Sequence, residues 1–410
     1  MSTGLVLLMV GDELLDGRSR DTNSDWIIDR GTSERWRVQA VEVLPDDTEF
    51  ISEAIGRHAG AAAAILLSGG LGPTTDDVTR DGLARALGVE LFFDDEIAAH
   101  IESLFRSRGR RMPESNRRQA YRTPASRVIP NPVGSAVGLL DELDGTLIAL
   151  LPGVPAELKA MFDATVRTEF SARLAGGAPY SRRIRTAQIA ESVLVDLVRE
   201  SVPEIDALDT AWCVSTWGVD LLLRDEDEAR LEAAEAKIAS AIGDFAYGEG
   251  QTSLPVAVVQ VRGELAESVA VAESCTGGLV GAAITSVPGS SAVFFGGVTA
   301  YADDVKTAML GVPSALIAQH GAVSEEVADA MAAGVRDRLG ADWGVSTTGV
   351  AGPGGGTVDK PVGTVCVGLA GPDGIREATT IRLGGDRELV RRWSVAAALD
   401  ALRRGRIRRR

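Results

Sequence analysis

The sequence predicts an α/β protein with more than one domain, and three observations lead to that fold class. The chain has 410 residues, enough for two or three domains that each bury a core. Short apolar runs such as LVLLMV at 5–10 alternate with segments of helical spacing such as FISEAIGRH at 50–58. Runs that are apolar throughout are typical of parallel strands that helices cover on both faces.

The first domain is predicted at residues 1–167, as a parallel sheet covered by helices. Its predicted strands are LVLLMV, RVQAVEVL, AAAAILLS and TLIALL, and the last of these runs into a Pro/Gly turn, LPGVP. Apolar strands separated by helical segments are the pattern of βαβ units, which place successive strands side by side and parallel.

The composition changes after this domain, and a small α+β middle module is predicted at 168–255, ending in a linker, EGQTSLP. A second α/β domain is predicted at 256–403, followed by a basic tail at 404–410. Its expected strands are 268–273, 294–301, 343–348 and two near 362–369 and 377–383, and its expected helices are 277–286, 324–339 and 386–402.

Charge and hydropathy exclude several classes of protein. The net charge of −16 argues against a nucleic-acid binder, which would carry a basic patch. The tail RRGRIRRR is the exception; it is interpreted as a solvated terminus, with a docking site for a phosphate or an acidic partner as the alternative. Apolar runs fall far short of the roughly 20 residues that span a bilayer, and the opening MSTGLVLLMVGDELL lacks the basic region of a signal peptide. A soluble cytoplasmic protein is therefore expected.

Cysteine and histidine are too sparse for several kinds of site. The three cysteines and three histidines are widely separated, without metal-ligand spacing: Cys213, Cys275, Cys366, His58, His100 and His320. The sequence therefore offers few ligands for a zinc site and few histidines for a Ser-His-Asp triad. Free thiols in a reducing compartment are expected.

A glycine-rich loop, SGGLGPTTDDVT at 68–79, follows the third predicted strand. Gly69, Gly70 and Gly72 let the backbone approach a ligand closely, and the following helix points its free N–H groups at the loop. Such a loop suits a phosphate or pyrophosphate. Asp76 and Asp77 suit either the helix N-cap or a hard cation, and a tight turn with a capping Asp is the alternative interpretation of the whole motif.

Two further polar loops follow the first two strands. GDELLDGRSRDTNS at 11–24 carries Thr22 and Asn23, and LPDD at 44–47 carries Asp46. Loops at the carboxyl ends of neighbouring parallel strands converge on one crevice. Asp46 and Asp77 are therefore candidates for holding one metal ion or one reacting water.

The stretch AESCTGG at 272–278 follows the apolar run SVAVA in the second α/β domain. Ser274 comes at the end of a strand, and Thr276, Gly277 and Gly278 begin a helix. A helix N-terminus can stabilise an oxyanion or hold a phosphate, so the stretch fits either a serine nucleophile or a phosphate cradle.

His320 precedes a glycine and is interpreted as the end of a helix, so the candidate bases for Ser274 are the lysines. Only four of the 42 basic residues are lysines, and a lysine can lose its proton where an arginine cannot. Lys306 lies five residues after Tyr301 in VTAYADDVK, so a Ser-Lys or Ser-Tyr-Lys arrangement is one hypothesis. A solvated helix residue is the alternative for Lys306, and Cys275 is interpreted as a small buried thiol.

The stretch STTGVAGPGGGTVDKPVGT at 346–364 is predicted as a strand that runs into a Gly/Pro loop able to wrap a phosphate or ribose. Thr348 stands at the mouth of this loop, Gly352 lies within it, and Lys360 can reach a phosphate as a point charge. A disordered surface loop is the alternative, which the strand-forming run VGTVCVGLA directly after it disfavours.

Over roughly residues 4–165, GDELLDGRSRDTNS, SGGLGPTTDDVT, NRRQA and LPGVP resemble the molybdopterin-binding-like domain of the CinA family. The resemblance implies metal-dependent ADP-ribose pyrophosphatase activity on a fold shared with molybdopterin-binding enzymes. It places Asp46 and Asp77 at the acidic positions of the fold and Gly69, Gly70 and Gly72 in the binding loop.

From about 260 to 402, AESCTGG, PGSSAVFFGGVTAY, KTAMLGV, GAVSEEVA and TTGVAGPGGGTVDKPVGTV resemble the CinA C-terminal domain. That domain also occurs alone as nicotinamide mononucleotide (NMN) amidohydrolase, so the resemblance implies hydrolysis of the NMN carboxamide to nicotinate mononucleotide and ammonia. It makes Ser274 the nucleophile and assigns functional positions to Tyr301, Lys306, Thr348 and Arg387.

One departure from the family pattern lies beside the predicted base. The family commonly has YSNExK where this chain has YADDVK, so Ala302 and Asp303 replace Ser and Asn. Asp303 and Asp304 add negative charge next to Lys306, which favours its charged form.

The resemblance and the residues together lead to an NMN amidohydrolase with an N-terminal ADP-ribose pyrophosphatase, both acting on breakdown products of NAD. A divalent ion such as Mg²⁺, with a monovalent ion as a further candidate, is expected for the N-terminal domain and no cofactor for the other. The expected partners are small pyridine nucleotides and a second copy in a homodimer, without membrane or direct nucleic-acid contact. The alternatives are a molybdopterin-like ligand-binding module without turnover and a non-catalytic partner in competence or DNA repair.

Overall fold

The computed structural model describes residues 4–215 and 217–405, and residues 406–410 of the predicted basic tail lie outside this part. The chain divides into two compact units, Met1–Pro179 and Tyr180–Arg410. Both units are mixed α/β structures, so the predicted fold class is confirmed.

The N-terminal unit alternates strands and helices along most of its length. Its elements, in chain order, are β1 (Gly4–Val10), α1 (Asp12–Leu15), α2 (Asn23–Ser33), β2 (Arg37–Leu44), α3 (Thr48–His58), β3 (Ala64–Ser68), α4 (Thr79–Leu87), β4 (Phe92–Phe93), α5 (Asp95–Ser107), β5 (Tyr121–Arg122), β6 (Arg127–Ile129), β7 (Gly138–Leu143), β8 (Thr146–Leu151), α6 (Pro155–Met161) and α7 (Arg167–Leu174). The four predicted strands are β1, β2, β3 and β8, although β3 begins only at Ala64.

The main sheet of this unit has six strands in the order β2-β1-β3-β8-β7-β6. The four predicted strands are parallel to one another, as predicted. Strands β7 and β6, which were not predicted, pair antiparallel. The reason is local: Asp144 and Gly145 join β7 to β8 with φ of 49° and 80°. An Asp-Gly pair with both φ angles positive forms the two-residue turn of an antiparallel hairpin.

Strand β1 is buried on both faces, which is what its uninterrupted apolar sequence predicts. Leu5, Leu7 and Met9 join one core cluster, and the alternate residues Val6, Leu8 and Val10 join another. Because side chains on a strand alternate between the faces, helices cover the sheet on both sides.

The second unit contains two sheets. Its elements are β9 (Tyr180–Thr186), α8 (Glu191–Ser201), β10 (Asp209–Val214), β11 (Val219–Asp225), α9 (Glu228–Ile242), β12 (Ala246–Glu249), α10 (Leu254–Glu264), β13 (Val269–Glu273), α11 (Leu279–Thr285), β14 (Phe294–Thr299), α12 (Asp303–Leu310), α13 (Ser314–His320), α14 (Glu325–Leu339), β15 (Trp343–Gly349), β16 (Thr364–Ala370), β17 (Arg376–Arg382) and α15 (Arg387–Arg404). Helix α10 begins within the stretch predicted as a linker.

Strands β10-β11-β9-β12 form a four-stranded antiparallel sheet that packs against α8 and α9. The order of the other sheet is β14-β13-β15-β16-β17, with the first three strands parallel and the last two antiparallel. Val269 and Val271 of β13 face the cluster that contains residues of α10, α11 and α15, whereas Ala270 and Ala272 face α12 and α14. The end of β13 is therefore held between two layers of helices.

Within the described residues, no helix combines the length and the apolar character needed to cross a membrane. The beginning of the predicted basic tail is structured, because Arg403 and Arg404 end α15 and both pair with the carboxylate of Asp400, at 2.8 Å each.

Candidate functional sites

A cleft of about 530 Å³, here called the glycine-loop cleft, opens where the parallel strands of the N-terminal unit end. The residues that follow β1, β2, β3 and β8 all contribute to it, as the convergence of strand-end loops predicts. Among its lining residues are Gly11, Glu13, Asp46, Gly69, Gly70, Gly72, Asp76, Asp77, Gln119, Gly153 and Glu157.

The glycines of this cleft are required by the packing of the chain on itself. Gly69 has φ of 113°, and a Cβ there would lie 2.1 Å from the carbonyl oxygen of Val10. A Cβ on Gly70 would lie 2.2 Å from Oγ1 of Thr79, which donates to the Gly69 carbonyl at 2.8 Å. The loop is thus a tight turn, and it also lines the cleft in which a ligand was predicted.

Asp77 holds the glycine loop through its carboxylate and is not the N-cap of α4. Its carboxylate accepts hydrogen bonds from the Gly72 N–H at 2.6 Å, the Thr74 N–H at 2.7 Å and the Thr74 hydroxyl at 2.5 Å. The N-cap of α4 is Val78. Both oxygens of Asp77 accept hydrogen bonds from the loop, and its role as a metal ligand stays a prediction.

Asp46 is the carboxylate of the cleft that fits a cation. Among the described residues it accepts one hydrogen bond, from the Asp12 N–H at 3.0 Å. Burial raises the pKa of Asp46, and the charges of Asp12, Glu13 and Asp76 raise it further. The described residues contain no cluster of three or more His, Cys, Asp or Glu able to hold a metal ion. A single carboxylate is compatible with an ion such as Mg²⁺, which proteins commonly hold by one or two carboxylates together with phosphates.

Asn23 lies beside this cleft and connects strand ends. It is 6% exposed, and its Nδ2 donates to Oγ of Ser68 at 3.0 Å and to the Gly153 carbonyl at 2.8 Å. Glu13 and Glu157 line the cleft and were not predicted. Glu157 lies in the first turn of α6, two residues after Pro155, and an acidic residue two positions after LPGVP is the signal that could have identified it.

In the second unit, Ser274 lies between the ends of two neighbouring strands. Glu273 of β13 pairs with Thr299 of β14 on one side and with Thr347 of β15 on the other. The Ser274 N–H donates to the Thr347 carbonyl at 2.9 Å, and the Ala300 N–H donates to the Glu273 carbonyl at 2.8 Å. The segments that begin at Tyr301 and Thr348 therefore lie on either side of Ser274.

Arg387 connects Tyr301 to the Gly/Pro loop. Its Nη2 donates to the Tyr301 hydroxyl oxygen at 2.9 Å, and its Nη1 donates to the Gly352 carbonyl at 2.8 Å. Both partners are neutral, and in the described part of the chain Arg387 forms no ion pair. Its positive charge is thus available to an anionic ligand.

Lys306 is buried, so the alternative of a solvated helix residue was wrong. It is 1% exposed, and its Nζ donates to Oδ1 of Asp303 at 3.0 Å and to the Tyr301 carbonyl at 3.4 Å. The residue that departs from the family pattern, Asp303, is therefore the ion-pair partner of this ammonium group.

Thr348, Lys360 and Thr276 each bond to other protein groups. Oγ1 of Thr348 donates to the Ala322 carbonyl at 2.8 Å, and Nζ of Lys360 donates to the His320 carbonyl at 2.7 Å. Lys360 therefore ties the Gly/Pro loop to the end of α13, where His320 is the last helical residue, as predicted. The Thr276 and Thr347 hydroxyls lie 2.7 Å apart in the interior, next to Ser274.

Glu273 was not predicted, and it occupies the helix N-terminus that was assigned to a ligand. The side chain is 2% exposed. Its carboxylate accepts from the N–H groups of Gly278 at 2.9 Å, Val280 at 3.0 Å and Gly281 at 2.9 Å. Because the positive end of α11 already faces an anion, it is not open to an oxyanion or a phosphate. A carboxylate between an apolar strand and a glycine-rich helix start is the signal for this role.

Cys275 and Arg391 complete the surroundings of Ser274. Cys275 is buried, as predicted, and burial raises the pKa of its thiol to about 11. Arg391 donates from Nε to the Cys275 carbonyl at 3.1 Å and from Nη2 to the Thr276 carbonyl at 2.8 Å. Arg391 was not predicted, although its position one turn after Arg387 places it on the same face of α15.

The chain matches two family descriptions in succession. Residues 6–172 match "Probable molybdopterin binding domain", and residues 251–405 match "CinA C-terminal domain". A CinA-like protein of Citrifermentans bemidjiense is 38% identical over 403 residues, which cover 98% of this chain and 97% of that protein. A putative competence-damage inducible protein of Symbiobacterium thermophilum is 40% identical over 417 residues, with 97% of each chain covered.

Solved structures are similar to part of the chain. The crystal structure of the competence/damage inducible protein CihA from Agrobacterium tumefaciens is 39% identical, covering 36% of this chain and 91% of that one, with a TM-score of 0.36. The protein CinA from Thermoplasma acidophilum, whose structure is described as that of a protein of unknown function, is 32% identical over 41% of this chain and 98% of that one, with a TM-score of 0.38.

The fold and the two sites define a mixed α/β protein that combines a molybdopterin-binding type of domain with a domain in which the stretch AESCTGG places a serine at a strand end. The similarity extends over nearly the full length of both relatives. The chain belongs to the CinA family.

Proposed function

We propose that the C-terminal domain hydrolyses the carboxamide of NMN to nicotinate mononucleotide and ammonia. The observation that carries this proposal is the position of Ser274 between the segment that follows β14 and the end of β15. Tyr301 of the first segment accepts a hydrogen bond from Arg387, which forms no ion pair within the described residues. A nucleophile, a proton-transfer group and a phosphate-binding cation are the parts that such a reaction needs.

In the proposed reaction, Oγ of Ser274 attacks the carboxamide carbon and its proton is transferred with the assistance of Lys306 and Tyr301. The C–N bond then breaks, ammonia leaves and an acyl-enzyme ester remains. Water cleaves that ester and releases the nicotinate product. Glu273 and Arg391 hold the backbone around Ser274. The segments that begin at Tyr301 and Thr348 lie on either side of this serine.

Arg387 is the proposed partner of the NMN phosphate, because a guanidinium can donate two parallel hydrogen bonds to a phosphate. Its present partners, a phenol oxygen and a carbonyl, are neutral and can be exchanged for a stronger anionic acceptor. Lys360 is a weaker candidate for the same role, because its Nζ is bonded to the His320 carbonyl.

Ammonia release from NMN by the wild type, Ser274→Ala and Ser286→Ala tests the amidohydrolase. Ser286 is an exposed serine of the same domain whose hydroxyl donates to the Ala283 carbonyl, which makes it the matched control. We expect turnover by the wild type and the control and a loss of about 10³-fold or more in Ser274→Ala. Full activity of Ser274→Ala would make the segment a binding cradle, and no ammonia from the wild type would refute the proposal.

We also propose that the N-terminal domain hydrolyses the pyrophosphate of ADP-ribose. The supporting observation is the glycine-loop cleft with Asp46, whose pKa is raised by burial and by the surrounding carboxylates. Asp46 would hold a divalent ion, which when bound neutralises charge on the pyrophosphate oxygens. Attack of water on one phosphorus breaks the P–O–P bridge and gives AMP and ribose 5-phosphate.

Release of AMP from ADP-ribose, measured with and without Mg²⁺ for the wild type and Asp46→Asn, tests this second activity. We expect magnesium-dependent release that falls at least tenfold in Asp46→Asn. Absence of AMP from the wild type, together with a fluorescent pterin that co-purifies with it, would favour the alternative of a molybdopterin-like ligand bound without turnover. Sedimentation equilibrium of the same preparation tests the proposed homodimer.

A further inference from the structure

A second cleft, here called the arginine cleft, adjoins the glycine-loop cleft in the N-terminal unit. Its volume is about 570 Å³, and Pro73 and Asp77 line both clefts. Arg80, Arg118 and Tyr121 also line the arginine cleft. Cavities of this size accept ligands as large as a nucleotide.

Arg80 is a buried cation whose hydrogen-bond partners, within the described residues, are backbone carbonyls. It is 3% exposed and donates to the Leu71 carbonyl at 3.1 Å and to the Val137 carbonyl at 3.2 Å, while its Nε has no partner in the same part of the chain. Burial lowers the pKa of Arg80 to about 10. A buried guanidinium is normally paired with an anion, because removing an unpaired charge from water is costly.

The carboxylates of the arginine cleft already have partners. Asp81 pairs with Arg118 at 3.1 Å, and Glu114 pairs with Arg117 at 3.2 Å. Asp77 is occupied by the hydrogen bonds that close the glycine loop. Asp77 and Asp81 stabilise the charge of Arg80 from a distance, but within residues 4–215 and 217–405 Arg80 forms no ion pair.

Tyr121 supplies an aromatic surface at the same cleft. Its side chain is 39% exposed, and its ring meets Phe93 edge to face with centroids 5.3 Å apart. Because Phe93 contacts the tyrosine ring, the orientation of the ring is restrained while part of it remains open to a ligand. Bases stack on such rings with little dependence on their identity.

We propose that the arginine cleft binds a nucleoside monophosphate unit, with Arg80 contacting the phosphate and Tyr121 stacking on the base. This inference rests on the proposed hydrolysis of ADP-ribose and extends it. It assigns the AMP half of the substrate to the arginine cleft and the pyrophosphate bridge to the border formed by Pro73 and Asp77.

The affinities of the full chain for AMP and for adenosine, measured without a divalent ion, test the assignment. We expect the wild type to bind AMP about tenfold more tightly than adenosine, because of the charge-assisted contact with Arg80. In Arg80→Met this preference should fall to about one. Arg106→Met, which removes an exposed arginine paired with Glu102 on α5, should retain it.

Tyr121→Ala provides a second test that does not depend on the folding of an Arg80 variant. It should weaken the binding of AMP and adenosine alike, by about fivefold or more, because the stacking surface is removed. A wild type without preference for AMP, an Arg80→Met protein that is folded and retains the preference, or unchanged affinities in Tyr121→Ala would each overturn the proposal.

The same variants separate this inference from the activity on which it rests. If AMP binds as expected but ADP-ribose is not cleaved, the hydrolysis is refuted and the binding assignment stands. If ADP-ribose is cleaved but AMP binding does not respond to Arg80→Met and Tyr121→Ala, the hydrolysis stands and the arginine cleft is not its nucleotide subsite.

Discussion

Glu273 has a role that the sequence motif alone assigns to a ligand. Its carboxylate accepts three N–H groups from the start of α11, and these hydrogen bonds determine the path of the chain immediately after Ser274. The serine is thereby placed by an internal anion, and the helix dipole stabilises that anion.

We predict that Glu273→Gln lowers both stability and turnover. The glutamine amide presents an N–H₂ group where an oxygen now accepts hydrogen bonds, which leaves one or two backbone donors without a partner. The expected cost is about 1–3 kcal/mol in the free energy of unfolding, with ammonia release reduced at least tenfold. Denaturant unfolding and steady-state assays measure both, and Glu264→Gln, at an exposed position at the end of α10, is the control. Wild-type turnover in Glu273→Gln would show that these bonds do not position the serine.

The carboxylate of Asp46 is expected to lower the free energy of unfolding at neutral pH and to bind a cation. Because its pKa in the folded protein is raised above the ordinary value of 3.8, the folded state binds this proton more tightly than the unfolded state. The free energy of unfolding therefore decreases as the pH rises through the raised pKa. Asp46→Asn removes this term and should be more stable than the wild type at neutral pH by about 0.5 kcal/mol, allowing for solvent screening.

Thermal unfolding at several pH values, with and without Mg²⁺, measures this difference. Without the ion, the advantage of Asp46→Asn should shrink as the pH falls towards 3.8. With the ion, the wild type should gain stability and the variant should not. An equal gain in both proteins would place the cation elsewhere. Asp25→Asn, at an exposed position of α2, is the matched control.

Cys275 is predicted to be unreactive despite its place next to Ser274. A thiol with a pKa of about 11 is almost entirely protonated at pH 7.5, and the thiolate is the nucleophilic form. Iodoacetamide should therefore modify the exposed Cys213 and leave ammonia release intact. Mass spectrometry identifies the modified residue. Inactivation that Cys275→Ala prevents would contradict the prediction.

At the residue scale, the sequence was most informative about which residue types stand together and least about their partners. The order of the strands placed Tyr301 and Thr348 beside Ser274. The contacts of Asp77 with the glycine loop and of Lys306 with Asp303 depend on side-chain directions that spacing does not determine. In both pairs the two partners are close in sequence. Their separation along the chain does not determine whether each side chain contacts solvent, a ligand or its neighbour.

At the element scale, helix α15 assigns different roles to arginines that are close in sequence. Arg387 and Arg391 lie four residues apart on one face, and both donate to the segments around Ser274. Arg392, the next residue, instead pairs with Glu388 at 2.5 Å on the exposed side of the helix. Adjacent positions on a helix point about 100° apart, which makes Arg392 a natural control for Arg391.

We predict that Arg391→Met lowers kcat for ammonia release and leaves KM for NMN nearly unchanged. The guanidinium contacts the carbonyls of Cys275 and Thr276 and not the proposed phosphate position, so its loss misplaces the nucleophile without removing a substrate contact. A loss of about 10- to 100-fold in kcat is expected. Arg392→Met should behave as the wild type. A large rise in KM with kcat intact would instead assign Arg391 to substrate binding.

The elements themselves were predictable to different degrees. Apolar strands such as β1 and β13 were recognised because both faces are buried and the runs have no polar interruption. Strand β7 was not predicted, although Asp-Gly at 144–145 is the sequence signal of the hairpin that joins it to β8. Helix α10 was missed because a proline near its start was interpreted as part of a linker, although proline is favoured in the first turn of a helix.

At the scale of the whole molecule, each proposed site is built from one unit. The glycine-loop cleft and the arginine cleft use residues before Pro179, and the surroundings of Ser274 use residues after Tyr180. Each unit also has core clusters of its own. The two sites therefore share no side chain, and the substitution of a residue in one does not remove a contact from the other.

We therefore predict that the two activities can be removed independently. Ser274→Ala should abolish ammonia release from NMN and leave AMP release from ADP-ribose within about twofold of the wild type, and Asp46→Asn should do the reverse. The double variant should show the product of the two single effects, as expected for sites without shared partners. Both assays are run on the same four preparations, so a folding defect would be seen as a parallel loss of both activities. A specific loss of ammonia release in Asp46→Asn, in a protein that unfolds at the wild-type temperature, would mean that the N-terminal cleft controls the amidohydrolase, and the two sites would then have to be treated as coupled.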